Sequence, residues 1–388
     1  MTLGSHSSRR GVLAIGGLGI ATLALPAAAR AASVLDGVGG ATGLGAGGGA
    51  AGDARRGAAR APLALALVLE PTSASSASSW SAVAVGARQS LGVRDGRLYT
   101  WGSNVDGGTG QGTTSGSTVT PTEVVVAGIS TWTAVAAGGE ENAVSLAIGD
   151  GKLYACGDDT YGMTGLGASS TTWQRVGSAS DWTAISVGAF HCLGVRGGEL
   201  MAWGYGFDGS LGLGATSSAT TPTRVGAAAE WSICAAGRIY PYASLAVRDG
   251  ELHSWGSNLN GVTGQGDTTG SSSTPQALGS TGWTALSLAA AAAGVRAGEL
   301  WTWGRHQGGV TAQGLTGAGE EPDEAASPVR IGSESDWTHV AVGSAALLAV
   351  RAGQLWASGI TNDGGTVGAT GLPDGTLNVA TLQRVGTA

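Results

Sequence analysis

The stretch SLGVRDGRLYTWG at residues 90–102 returns as LGVRGGELMAWG at 193–204, LAVRDGELHSWG at 245–256 and LAVRAGQLWASG at 348–359. Each copy is two short apolar runs separated by two residues, the second of which is glycine. Asp95-Gly96, Asp150-Gly151 and Asp249-Gly250 are strong hairpin signals, because a type I′ turn needs positive φ at both central positions. Gly198, Gly298 and Gly353 fill the second position elsewhere. Residues flanking such a turn face each other across the strands. That register pairs Arg196 with Glu199, Arg248 with Glu251 and Arg296 with Glu299, while the first copy sets Arg94 opposite Arg97.

Working outward, every hairpin is preceded by a short apolar strand that opens on tryptophan: Trp80, Trp132, Trp182, Trp231, Trp283 and Trp337. Every hairpin is followed by a glycine-rich loop and then a segment in which Pro121, Pro222, Pro275 and Pro328 recur, with Trp173 and Leu382 standing in. Proline lacks an N–H and belongs on an edge strand. Four strands per unit with a proline-tolerant outer edge describe a propeller blade, and radial closure hides most sheet edges. The chain is therefore expected to be all-β: a single β-propeller of about six four-stranded blades over residues 80–388, preceded by a low-complexity N-terminal arm.

The arm divides into two parts. Residues 1–32 hold Arg9-Arg10, an apolar Gly/Ala/Leu run and a small-residue site at Ala29-Arg30-Ala31, the layout of a twin-arginine export signal too glycine-rich for a stable membrane span. Residues 33–79 read as a Gly/Ala/Ser-rich linker with one candidate strand at 63–69. Before residue 80, six arginines face three acids, which leaves 14 basic against 24 acidic residues in the repeats. An acidic body with no basic stripe argues against nucleic acid as a partner. Cys156, Cys192 and Cys234 have no metal-like spacing and stand at packing positions, so buried free thiols are expected.

The string G-x-x-x-S-L-G-V-x-x-G-x-L-Y-x-W-G-S-N-x-x-G-x-x-G-x-G, read from Gly86 to Gly112 and varied through six units, resembles the regulator of chromosome condensation (RCC1) family of β-propellers. The resemblance spans residues 80–388. It implies a propeller whose members mostly bind other proteins. Eukaryotic members include a nucleotide-exchange factor for a small GTPase, which docks on chromatin, and a plant ultraviolet-B photoreceptor. The present chain has six units where members typically have seven blades, and it lacks both a basic tail and a Gly-Trp-Arg-His-Thr loop. Similar repeat proteins of bacteria and of phage virions look like display or attachment modules.

No catalytic residue, metal site or cofactor is expected. Gly107–Gly112 and Gly261–Gly266 could pass for phosphate cradles, but they follow hairpins and do not join a strand to a helix. The five histidines lie in separate segments without ligand spacing, and no G-x-S-x-G elbow comes with a His and acid partner. Binding residues are sought where the repeats diverge. Arg238, Tyr240 and Tyr242 have the composition of an interface anchor. Trp301 and Trp356 stand where other units carry Tyr99 and Tyr154, and Glu320, Glu321, Asp323 and Glu324 form an acidic insertion. A second divergent loop carries Glu140-Glu141-Asn142.

The expectation is a non-enzymatic binding scaffold that presents inter-blade loops to a protein or glycan surface, exported to an extracellular or periplasmic setting. The alternative is a virion structural protein for decoration, tail or host attachment, held against other subunits by residues 1–79. A more distant alternative is an exchange factor for a small GTPase, which conflicts with an export signal.

Overall fold

The computed structural model describes residues 79–140, 142–240, 242–315, 324–344, 346–360 and 378–385, together with the backbone of two short strands at Ile20–Thr22 and Ala66–Val68. Glu320, Glu321 and Asp323 of the acidic insertion lie outside the described residues, as do Glu141 and Pro241. Six sheets follow one another along the chain, each with four consecutive antiparallel strands. The innermost strands begin at the six repeat tryptophans, Trp80 to Trp337. Each lies against the innermost strand of the next sheet, which makes six blades around an axis.

The strand directions divide the ring into two faces. One carries the two-residue hairpins between second and third strands; the other carries the first-to-second turns and the long third-to-fourth loops. The hairpins have the expected conformation: Asp95 and Gly96 have φ of 51° and 75°, and Asp249 and Gly250 have 49° and 75°. Ala297 and Ala352 take the same left-handed conformation at φ 48° and 47°, at the cost of a Cβ–carbonyl clash. The recurrent prolines fall on the outer strands, Pro222 in Ala219–Arg224 and Pro275 in Ser271–Ala277.

Between blades 6 and 1 stand the two N-terminal strands. Ile20–Thr22 pairs in parallel with Ala66–Val68, which pairs with the innermost strand of blade 1 through Leu67 and Val83. The backbone of Ile20–Thr22 also lies beside Trp337–Val342, the innermost strand of blade 6. The arm thereby occupies the seam where first and last repeats would otherwise have to meet.

Blades are riveted to one another by the repeat residues. Trp203, Trp255 and Trp303 of the W-G step are fully buried. Each donates its indole N–H to a loop carbonyl of the preceding blade at 2.8 Å: Met163, Ser210 and Val262. The loop glycine that follows must be small, since a Cβ on Gly212 would lie 2.8 Å from the Trp255 nitrogen. Blade 2 has Cys156 at this tryptophan position, and the missing ring is replaced from another strand: Trp173 of the outer strand packs on Trp132, with centroids 6.2 Å apart. All three cysteines are free and buried, and burial raises their thiol pKa values, so they pack as small apolar groups.

The hairpin register is as expected, with Arg196 opposite Glu199 and Arg296 opposite Glu299, but the ion pairs run elsewhere. Glu199 pairs with Arg224 and Glu299 with Arg330, both on outer strands, at 2.8 and 3.0 Å. Arg196 turns to Asp181. In the first blade, Arg97 pairs with Glu123 while Arg94 stacks over Trp80 and Tyr99, which separates the like charges. The third strand lies between second and fourth, so its carboxylate has two flanking strands within reach, and the arginine freed from it can stack on the blade's tryptophan.

Candidate aromatic binding surface

The loop face is built on one local rule. The glycine of each W-G step has strongly positive φ, 100° at Gly204 and 87° at Gly256, and a Cβ there would lie 2.6 Å from the carbonyl oxygen of Phe190 or Tyr242. Only glycine lets the end of the third strand close against the first-to-second turn. In blade 3 the Tyr205 N–H then donates to the Phe190 carbonyl at 2.8 Å, which brings both side chains to one face. Phe207 opens a single turn whose Asp208 is left-handed at φ 53°.

On this face four of the six tyrosines and both phenylalanines of the chain gather into one cluster. Tyr161 of blade 2 meets Phe190 edge-on at 4.7 Å and Tyr205 at 5.8 Å. Tyr205 and Phe207 stack with centroids 6.0 Å apart and planes 6° from parallel. Tyr242 of blade 4 joins both Phe190 and Phe207, and Tyr240 stands against Tyr242 at 5.4 Å. The outer members remain uncovered: Tyr240 is 52% exposed, Phe207 43% and Tyr205 41%. Leu259, 39% exposed, occupies the Phe207 position in blade 4. Isolated exposed apolar residues are ordinary, but a contiguous patch marks an interaction site.

Carboxylates edge the cluster. Tyr242 has its hydroxyl pKa pushed up to about 12, first by burial and then by the negative charge of Glu140, with Asp208 contributing less. Asp158 and Asp159 lie in the adjoining blade 2 loop, where Asp158 accepts from the Asn142 side chain at 2.9 Å and Asp159 from the Thr164 hydroxyl at 2.6 Å.

The sequence-derived candidates separate in space. Arg238 does not join its neighbours Tyr240 and Tyr242 in the cluster. It reaches across the ring from blade 4 and donates to the carbonyls of Ala137 in blade 2 and Val85 in blade 1, at 2.7 and 3.1 Å. Burial of its guanidinium lowers its pKa to about 9, so it stays protonated at neutral pH as a cross-ring tie. Trp301 and Trp356 are half-buried on third strands, packed on Trp283 and Trp337 of their own blades and covered by Arg296 and Arg351. Trp301 lines an open inter-blade cleft of about 570 Å³ with Gln265, Gln276, Arg296 and Pro328. Glu324 opens the outer strand of blade 5, which packs against the Leu259–Gly261 turn of blade 4, and it makes none of the ring contacts of the cluster.

One Ser–His contact invites comparison with a nucleophile and base. His191 Nε2 lies 2.8 Å from Ser244 Oγ, which donates to the Ser210 carbonyl. Both residues are fully buried, and the seam between blades 1 and 2 makes the same contact with Gln89 and Ser145. A contact that works equally with glutamine joins blades and activates nothing. Burial pushes the His191 pKa down to about 4.

Comparison with known proteins agrees with this architecture. Residues 95–144 match the profile of the regulator of chromosome condensation (RCC1) repeat. In sequence the chain is 28% identical over 141 residues to the human and mouse E3 ubiquitin-protein ligase HERC2. That match covers 34% of this chain and only 3% of those proteins. Similar solved structures include yeast RCC1 (Prp20) bound to Kap60, with a TM-score of 0.65 at 19% identity over 80% of this chain and 75% of that one. Prp20p of Saccharomyces cerevisiae, described with its binding to Gsp1p and histones, gives 0.66 at 19% identity over 80% and 77%. Human WBSCR16 gives 0.62 at 20% identity over 78% and 81%. The chain is therefore a six-bladed β-propeller that carries an RCC1 repeat match at residues 95–144 and shares its fold with these RCC1 propellers.

Proposed function

We propose that the protein is a non-enzymatic scaffold that binds a protein partner through the aromatic loop face of blades 2 to 4. The observation that carries this reading is the collection of six non-tryptophan aromatic rings from three blades into one partly uncovered patch. Blade architecture does not require them: the Tyr205 position holds Ser103, Asp158 or Ser257 in sister blades, and the Phe190 position holds Arg88 in blade 1. Aromatic side chains supply large contact area with little entropy to lose, which is why they anchor interfaces. The structural relative Prp20p is described with two protein partners, Gsp1p and histones, and a protein-binding role for this chain is in keeping with that.

Two settings remain in view, export and display within a larger assembly. The position of Ile20–Thr22 beside blade 6 favours an arm that is kept, since cleavage after Ala31 would remove that strand from the seam. The N-terminal sequence of the natural protein separates them: a start near Ala32 supports export, and an intact start in material that sediments with large particles supports assembly.

The binding reading is tested by affinity capture from the natural source, with wild type beside a Tyr205→Ser/Phe207→Ser/Tyr240→Ser variant of unchanged melting temperature. Proteins retained by wild type and lost from the variant are expected. An identical set on both would sink the aromatic face as the docking surface.

A further inference from the structure

We infer that the aromatic face takes a cationic partner segment, an extended stretch of protein carrying arginine or lysine. This rests on the reading of that face as the docking surface, and three observations carry it beyond that reading.

The first is composition. The loops that build this face in blades 2 to 4, residues 139–143, 158–169, 188–190, 205–218, 237–242 and 258–270, hold six acids and a single base, Arg238. That base is turned away into the ring, where backbone carbonyls hold its guanidinium. The second is pairing. Every arginine–carboxylate ion pair among the described residues lies at the hairpin end of the blades. None of Glu140, Asp158, Asp159 or Asp208 takes part in one. Negative charge on the loop face of blades 2 to 4 thus has no arginine partner among the described residues, and the same charge helps to keep the Tyr242 hydroxyl protonated. The third is the ring geometry. The stacked pair Tyr205–Phe207 and the neighbouring Tyr240 are partly open to solvent, and aromatic faces attract guanidinium and ammonium groups through the ring quadrupole. At its other end the molecule uses this chemistry on itself, with Arg94, Arg248, Arg296 and Arg351 over tryptophan or tyrosine rings at 4.5 to 5.7 Å.

An arginine side chain laid on Phe207 or Tyr240, with its charge toward Glu140 or Asp208, would meet both needs at once. Among the described residues no three His, Cys, Asp or Glu side chains converge as metal ligands, so the carboxylates have no claim from a cation site there.

The test is calorimetric titration of the full-length chain with alternating glycine–arginine, glycine–glutamate and glycine–serine hexapeptides at low and high salt. The arginine peptide should bind, weaken with salt, and outcompete the other two by at least about tenfold, a difference of roughly 1.4 kcal/mol. Glu140→Gln/Asp208→Asn, which removes charge and suits the left-handed position of residue 208, should weaken it at least about fivefold. Equal binding of the serine or glutamate peptide, or an unchanged arginine affinity in the charge variant, overturns the inference. If natural partners depend on the aromatic residues but the arginine peptide fails to bind, only the cationic inference falls. If the arginine peptide binds the Tyr205→Ser/Phe207→Ser/Tyr240→Ser variant as tightly as wild type, the docking surface falls with it.

Discussion

The two faces of this propeller are built from the same repeats and have opposite chemistry. On the hairpin face arginines pair with a carboxylate of a neighbouring strand or connector or lie over their own blade's tryptophan, and in blade 2 Arg175 donates to the Ser178 and Ala179 carbonyls. On the loop face the repeats diverge, Glu140, Asp158, Asp159 and Asp208 have no ion-pair partner among the described residues, and aromatic rings of three successive blades touch. Both faces start from glycine-dependent turns, so the difference does not come from the backbone. It arises because a two-residue hairpin leaves no room for variation, whereas a loop of a dozen residues can change without disturbing the blade. The repeated face serves stability, and the varied face is free to serve recognition.

The largest expected effect tests whether Arg238 belongs to recognition or to the scaffold. Arg238→Met leaves the two carbonyls it serves without a charged donor and removes two charge-assisted hydrogen bonds, and it should destabilise the protein by about 3 kcal/mol. A urea midpoint unchanged from wild type would return Arg238 to the binding surface.

Second comes the seam between blades 3 and 4. His191 is neutral in the folded protein until about pH 4, whereas in the unfolded chain it takes up a proton below about 6.5. The unfolded state binds more protons in that window. Stability should therefore be complete above pH 6.5 and fall by up to about 3 kcal/mol as pH drops toward 4. His339, also pushed down by burial, to about 3, adds in the same direction. His191→Gln copies the Gln89 seam and should flatten part of that slope. A variant with the full wild-type slope in pH-dependent denaturation would show that His191 is not its source.

The smallest effect concerns the hairpin face. Ala297→Asp restores the Asp-Gly turn of the sister hairpins, where Asp150 also accepts hydrogen bonds from Ser130 and Thr131. Relief of a left-handed alanine should add about 1 kcal/mol of stability. A fall in melting temperature would mean that the connector of blade 5 cannot present matching donors.

Blade count, strand order, the turn glycines, the outer-edge prolines and the buried thiols could all be read from the repeats, because each follows from neighbours in sequence or from a period. The candidate site was legible only in part. Tyr240 and Tyr242 stand out as a non-repeating pair, but Tyr161, Phe190, Tyr205 and Phe207 look like unrelated substitutions spread over some fifty residues. A signal was present: Phe190 and Tyr242 fall at equivalent loop positions of adjacent units. It acquires meaning only when adjacent units are known to place those loops side by side. Arg238 misled for the converse reason, since its partners Val85 and Ala137 lie more than a hundred residues away and nothing local announces them.

By itself the sequence determined the local structures and their number, since period-two patterning, Asp-Gly turns and glycine spacing act over a few residues. Tertiary structure alone decided which side chains share a surface. It put the rings of blades 2, 3 and 4 together, turned Arg238 across the axis, sent the hairpin glutamates to outer-strand arginines, and set the N-terminal strands in the seam of the ring. Each of these contacts joins residues far apart in the chain, and only closure of the ring brings them within a few ångströms.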